Sequence, residues 1–256
     1  MPANSPRIPD PAFHKWPANT SDDYIKARHA LLEEEYALIN QIEKVAAQRR
    51  ALPPGPVIPE YVFEEGCWDL NSDLPSKKIT LAEVAKKGEV GRKTLVVYHM
   101  MMGENNTTAC SSCSMFIDGL NGVAKHLAQR FNLVIVAKAP LPAIRAYAKK
   151  RAWNNLRFLS SRDNTFNKDM GVEEPEWMKT MPQGPGMSVF RYEEGEDATR
   201  FCYQTTPHFG QKHDKEVIRG MDLLTPVWNL LDITPEGRGN WDASLDYVEK
   251  WDGVKF

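Results

Sequence analysis

The sequence predicts an α/β fold: a mixed central sheet with helices on both faces, preceded by one long helix. Three observations predict it. Residues 94–102 and 132–137 are short, apolar runs rich in β-branched residues, the composition of buried strands. Each is followed by helical spacing, over 110–130 and 141–153. A hairpin pattern and a last helix then follow, so some strands must run antiparallel and the sheet is mixed.

The elements follow in chain order. Pro2, Pro6, Pro9, Pro11 and Pro17 keep residues 1–20 out of helix interior and sheet ladder, which predicts a loose arm. Thr20, Ser21, Asp22 and Asp23 offer N-cap chemistry for a helix within 21–52, with Ile25, Leu31, Leu32, Leu38, Ile39, Ile42 and Val45 at helical spacing. Leu52-Pro53-Pro54-Gly55-Pro56 ends it, and the main domain is expected over 57–256. Residues 61–63 form a short strand candidate and 81–87 a short helix. In the helix over 110–130, Met115, Phe116, Leu120, Val123 and Leu127 are expected to face inward. Pro142 is tolerated in the first turn of the helix over 141–153. Residues 158–161 read as a strand, 188–192 and 199–203 as a hairpin closed through Glu194-Gly195-Glu196, and 222–231 as the last helix. Trp153, Trp177, Trp228 and Trp241 are expected to anchor the packing.

Composition narrows the function classes. The chain has 256 residues, 42% hydrophobic, and a formal net charge of −2, which offers no electrostatic footprint for nucleic acid or an anionic membrane. No apolar run approaches the length of a membrane span, and residues 1–20 have no apolar secretory core, so a cytoplasmic location is expected. Four cysteines are too few for a disulfide scaffold in a chain of this size. Cys67 and Cys202 read as lone buried thiols, whereas Cys110 and Cys113 form a Cys-x-x-Cys pair.

That pair carries the chemistry because of its place. It follows a buried strand and a polar turn and opens a helix. A helix N-terminus presents free N–H groups and positive potential, and both favour a thiolate. Cys113, one turn on, can close a disulfide with Cys110 or resolve a mixed one. The expected activity is thiol–disulfide exchange with a protein or small-molecule thiol or disulfide, with no cofactor. Two other chemistries have a foothold. Thr107, three residues before Cys110, sits as the threonine does in peroxiredoxins, which suggests a thiol peroxidase, although the proline those enzymes place four residues earlier is Gly103 here. Copper or another soft metal would suit Cys110, Cys113 and His208. His99 lies upstream with Met100, Met101 and Met102, but alternation on a strand leaves at most two of these on one face, and methionines there usually pack. His126 falls among apolar helix positions and reads as a buried histidine. Gly184-Pro185-Gly186, just before the hairpin, is the candidate for a cis-proline loop facing the dithiol, or else an ordinary turn.

In order along residues 22–240, the chain also carries Ala27-Arg28-His29-Ala30-Leu31-Leu32, Gln48-Arg49-Arg50-Ala51-Leu52-Pro53, Tyr98-His99-Met100-Met101, Cys110-Ser111-Ser112-Cys113-Ser114, Phe166-Asn167-Lys168-Asp169, Arg219-Gly220-Met221-Asp222 and Leu231-Asp232-Ile233-Thr234-Pro235-Glu236-Gly237-Arg238. In these it resembles a thioredoxin-like family of predicted dithiol–disulfide oxidoreductases, domain of unknown function 899. The resemblance implies a three-layer thioredoxin-like fold of the peroxiredoxin branch. Two departures stand out: Ala109 where members often carry proline, and a divergent segment from His208 to His213. From the residues themselves, Asn167 and Asp169 are turn formers that could also reach the site, Arg219 and Asp222 suggest an ion pair, and Arg238 suggests a docking contact for the C-terminal segment. The N-terminal helix makes a homodimer an expectation.

Overall fold

A computed structural model describes residues 15–86, 93–207, 220–245, 250–251 and 254–255. The chain divides into two compact units, Met1–Pro53 and Pro54–Phe256. The first holds helix α1, Asp22–Arg50. Ser21 caps it by accepting the Tyr24 N–H, and Asp22, Asp23, Arg49 and Arg50 place charges of the right sign at its two ends. No residue of α1 is buried.

The second unit is built on a seven-stranded sheet. Its strands are β1 Val62–Glu65, β2 Lys77–Thr80, β3 Thr94–His99, β4 Asn132–Ala137, β5 Arg157–Ser160, β6 Gly186–Glu193 and β7 Ala198–Thr205. They lie in the order β2-β1-β5-β4-β3-β6-β7. β3, β4 and β5 are parallel, while β6 runs antiparallel to β3 and pairs with β7 as a hairpin. The helices are α2 Leu81–Lys86, α3 Ser111–Leu127, α4 Leu141–Lys150, α5 Phe166–Asp169 and α6 Pro226–Asp232. Two short strands, β8 Lys250–Trp251 and β9 Val254–Lys255, pair separately. A β-α-β-α-β run followed by a hairpin and a helix on a mixed sheet is a thioredoxin-like fold.

Alternation along β3 divides the core in two. Val96 and Tyr98 face α3 and α4, packing with Phe116, Ile117, Leu120, Ile144 and Trp153. Leu95 and Val97 face α2 and α5, packing with Val84, Ala85, Phe166 and Phe190. The central strands are therefore apolar on both sides, which is why they read as continuous runs.

Several elements depart from expectation. β3 stops at His99, because Met102 N–H turns back to the Met100 carbonyl (2.8 Å). β2 was not foreseen; it carries Lys77 and Lys78 exposed on an outer strand, and only Ile79 is buried. On α3 the buried stripe is Cys113, Phe116, Ile117, Leu120 and Ala124, so Val123 and His126 point outward. His126 is an exposed residue, not a core histidine. The last helix is broken: Asp222–Leu224 is a 3-10 turn, and α6 restarts at Pro226, whose ring cannot accept a helix running through it. Trp153 is buried, with its Nε1 donating to Asp118 (2.7 Å), whereas Trp241 is exposed.

Candidate functional site

The strand-to-loop junction after β3 builds the dithiol. The chain leaves β3, makes a loop over 103–109 and returns, so that Cys110 N–H donates to the Met101 carbonyl (3.1 Å). Gly103 and Asn106 tie the loop reciprocally: Gly103 N–H donates to Asn106 Oδ1 and Asn106 N–H to the Gly103 carbonyl, each at 3.0 Å. Met101 N–H then donates to Cys113 Sγ (3.4 Å). One residue thus holds both cysteines through its two backbone groups.

Cys110 is the N-cap of α3, with extended backbone (φ −54°, ψ 141°). Its carbonyl accepts both the N–H and the hydroxyl of Ser114, at 2.9 and 3.0 Å. The Ser114 hydroxyl has one proton, so the 2.8 Å contact with Tyr147 is donated by the Tyr147 O–H. A buried relay from α4 thereby fixes the first turn of α3. Cys110 is half-buried and Cys113 is buried at 1% exposure, and both are free thiols.

The two sulfurs are unequal. The Cys110 thiol is pulled down to about 6, first by the hydrogen bond from the Cys113 thiol and then by the N–H groups of Cys113 and Ser112 and the Ser112 side chain; burial opposes this. Those donors are the orphan N–H groups of a helix start. Cys113 is pushed up by its bond to Cys110, by burial and by the Cys110 charge, while the Tyr98 hydroxyl and Met101 N–H act in the other direction. Tyr98, 1% exposed, stacks on Phe116 at 5.4 Å between centroids. Phe116 in turn meets the Trp228 ring of α6 at 5.8 Å.

The other expected residues fall in different places. Thr107 is exposed in the loop, and the groups acting on the Cys110 thiol are Cys113 and Ser112. His99 lies on the sheet face away from the dithiol: its ring stacks on Phe166, and Nε2 bonds with Ser188 Oγ at 2.8 Å. Every described peptide bond is trans, that before Pro185 included. The turn there is set by the Glu173–Gln183 bridge and by Gly184 N–H donating to the Val172 carbonyl (2.7 Å), and it needs no cis bond. His208 and Arg219 lie outside the described residues. Among the described residues no group of three or more His, Cys, Asp or Glu comes together as a metal site.

Asn167 is tied to the loop before Cys110 only through Gln183. It accepts from Ser161 Oγ (2.9 Å) and donates to Gln183 (3.0 Å), and the Gln183 side chain lies beside Gly103 in the loop before Cys110. Asp222 pairs with Arg238, which also holds Asp232. A separate cavity of about 410 Å³ is lined by Cys67, Trp68, Arg145 and neighbours, and neither sulfur of the dithiol lines it. Cys67 and Cys202 are half-buried. Tyr98, Ser114 and Tyr147 were not singled out by sequence. The usable signal for Tyr98 was alternation, which puts it on the strand face that α3 covers.

The chain that builds this site matches a family model over residues 13–253. The chain belongs to the family described as "Bacterial protein of unknown function (DUF899)". No curated protein matches it. Among solved structures it is similar to peroxidoxin BcpB from Mycobacterium tuberculosis, at 14% identity over 68% of this chain and 94% of that one, with a TM-score of 0.44. It is also similar to the 1-Cys peroxiredoxin of Plasmodium falciparum, at 10% identity over 67% and 95%, with a TM-score of 0.47. Reduced Prx3 from Vibrio vulnificus, solved with hydrogen peroxide, stands at 12% identity over 68% and 97%, with a TM-score of 0.44. These likenesses are distant and concern fold alone. Among the described residues of this family member no helix is long and apolar enough to cross a membrane.

Proposed function

We propose that the protein is a thiol–disulfide oxidoreductase in which Cys110 attacks and Cys113 resolves. The observation that carries the reading is the asymmetric pair at the start of α3: a half-buried thiol held near 6 beside a buried one that donates to it. At neutral pH Cys110 is a thiolate, and of the pair it is the residue that is partly exposed. The thiolate attacks a substrate disulfide, forming a mixed disulfide and releasing one substrate thiolate. Cys113 then loses its proton and attacks Cys110 Sγ, the second substrate sulfur leaves as a thiolate and takes up a proton, and the Cys110–Cys113 disulfide remains. The substrate gains two electrons and the dithiol loses two.

The test is the rate of alkylation of Cys110 against pH, with capture of a mixed disulfide in Cys113→Ala protein. A midpoint near 6 and a trapped adduct on Cys110 support the reading; a Cys110→Ser protein with full disulfide-reducing activity defeats it. The same low thiol also suits a second reading, thiol peroxidase. There the thiolate attacks a peroxide to give a sulfenic acid and an alcohol or water, and Cys113 condenses with the sulfenic acid to a disulfide, releasing water. Rapid oxidation by hydrogen peroxide with slow exchange toward disulfides would select it.

A further inference from the structure

We propose that the cavity walled by Trp68 and Arg145 binds a small organic anion with an apolar body, of the class of an aromatic carboxylate. The cavity, about 410 Å³, lies within the second unit, between the segment joining β1 to β2, strand β5 and helix α4. Its volume is in the range of small-molecule sites. Neither Cys110 nor Cys113 lines it, so it is a second site and not an annex of the dithiol.

Two kinds of group converge there. The first is apolar. Leu70, Leu156 and Phe158 form a buried floor that belongs to the core under α3 and α4. Trp68 and Leu74 line the same cavity yet stay 57% and 67% exposed. Large apolar side chains left in water beside a cavity gain burial when an apolar body fills it. The second kind is cationic. Lys77, Arg145 and Arg157 line the cavity together with one carboxylate, Glu65. Glu65 meets Arg157 at 2.6 Å and Lys77 at 3.5 Å. Arg145 is held differently: its guanidinium donates to three backbone carbonyls, those of Cys67, Asp69 (2.9 Å) and Ser72 (3.2 Å). Among the described residues no carboxylate pairs with it. The carbonyls fix the group without cancelling its charge, and a guanidinium has further N–H donors to offer. Gly66 leaves room for it, since a Cβ there would stand 2.6 Å from Arg145 Nη1. The surplus of cations draws in an anion and repels a cation. The ligand's charged head then faces Arg145, and its body lies against Trp68 and Leu74.

The experiment is calorimetric titration of the full chain with naphthylacetate. Naphthylethylamine serves as a cation of the same body, and acetate as the same charge without the body. Naphthylacetate should bind at one per chain in the submillimolar range. The amine and acetate should each bind at least about ten-fold more weakly, the size of one charge-assisted contact or of one buried apolar group. Trp68→Ala should weaken naphthylacetate by about ten-fold, and Leu74→Asp, which sets a carboxylate at the rim, should weaken it at least as much. Both side chains are exposed, so thermal unfolding of these variants should match the parent. Arg145→Gln should abolish binding, but it also releases the carbonyls of the 67–72 segment, so the two rim variants decide. Equal affinity for amine and acid overturns the inference. So does naphthylacetate binding that both rim variants leave unmoved, or the lack of any binding heat at millimolar naphthylacetate. Cys110→Ser protein should bind naphthylacetate as the parent does, so this inference stands or falls apart from the dithiol reading.

Discussion

At Cys110, the largest cause of the lowering is one neighbouring thiol, and that makes it removable. Cys113→Ala takes away the first cause of the shift and leaves the α3 N–H groups in place. The alkylation midpoint of Cys110 should then climb from about 6 toward the free-thiol value of about 8.5, read by mass spectrometry over a pH series. His99 supports a second prediction. Burial lowers it from 6.5 to about 3, so the folded protein keeps it neutral while the unfolded chain takes up a proton below 6.5. The unfolded state therefore binds more protons in that window, and stability rises with pH across it. As pH falls from 6.5 toward 3, His99 should cost up to about 1.4 kcal/mol per pH unit, and His99→Gln should flatten that slope in urea unfolding. Both cysteines were legible from their spacing alone, because a dithiol at a helix start is a local pattern. Tyr98 was not, because its partner is fixed by which face of β3 meets α3. His126 was misread for a related reason: the apolar stripe of α3 could be centred on Val123 or on Ala124, and packing against the sheet chose Ala124.

At the level of elements, the stretch from Asp222 to Arg238 is held by a clamp. Arg238 reaches Asp222 at 2.6 Å and Asp232 at 2.7 Å, and its guanidinium lies 5.8 Å from the Trp228 ring. Asp222 is buried, so replacing Arg238 takes a charged partner from a carboxylate shielded from water. Arg238→Gln should lower stability by about 2–4 kcal/mol in denaturant titration. Trp228 packs on Phe116 of the dithiol helix, so its fluorescence should report the loosening. The sequence marked Arg238 as a docking residue through its turn but did not give Asp222 as its partner, and the expected Arg219–Asp222 pair lies outside the described residues. Pairing across a turn of this kind depends on how the 3-10 turn and α6 fold back, which no periodicity encodes. The break at Pro226 was readable from proline itself. β2 was hidden because an outer strand with lysines exposed carries little apolar signal.

For the whole molecule, the strand–helix alternation was enough to reach the fold, since β3 and β4 are buried on both faces and stand out as apolar runs. The N-terminal unit is different, because what covers α1 cannot be read from its own residues, only what it would accept. Tyr24, Leu31, Leu38 and Val45 recur every seven residues, and Ile42 follows Leu38 by four, the spacing of a two-helix seam. Leu31 and Leu38 are 52% and 60% exposed, and no residue of α1 is buried. Arg28 and Glu35, at the polar positions of the same stripe, pair with each other at 2.8 Å within the helix, which lightens the cost of placing them in a seam. We propose that a second copy of the chain covers this stripe. The full chain should sediment as a dimer at micromolar concentration. Leu31→Lys with Leu38→Lys should give a monomer whose Cys110 alkylates at the parent rate, because neither residue belongs to the dithiol site. A parent chain that sediments as a monomer would remove the second copy as the occupant, and the stripe would then have to be covered from within the chain.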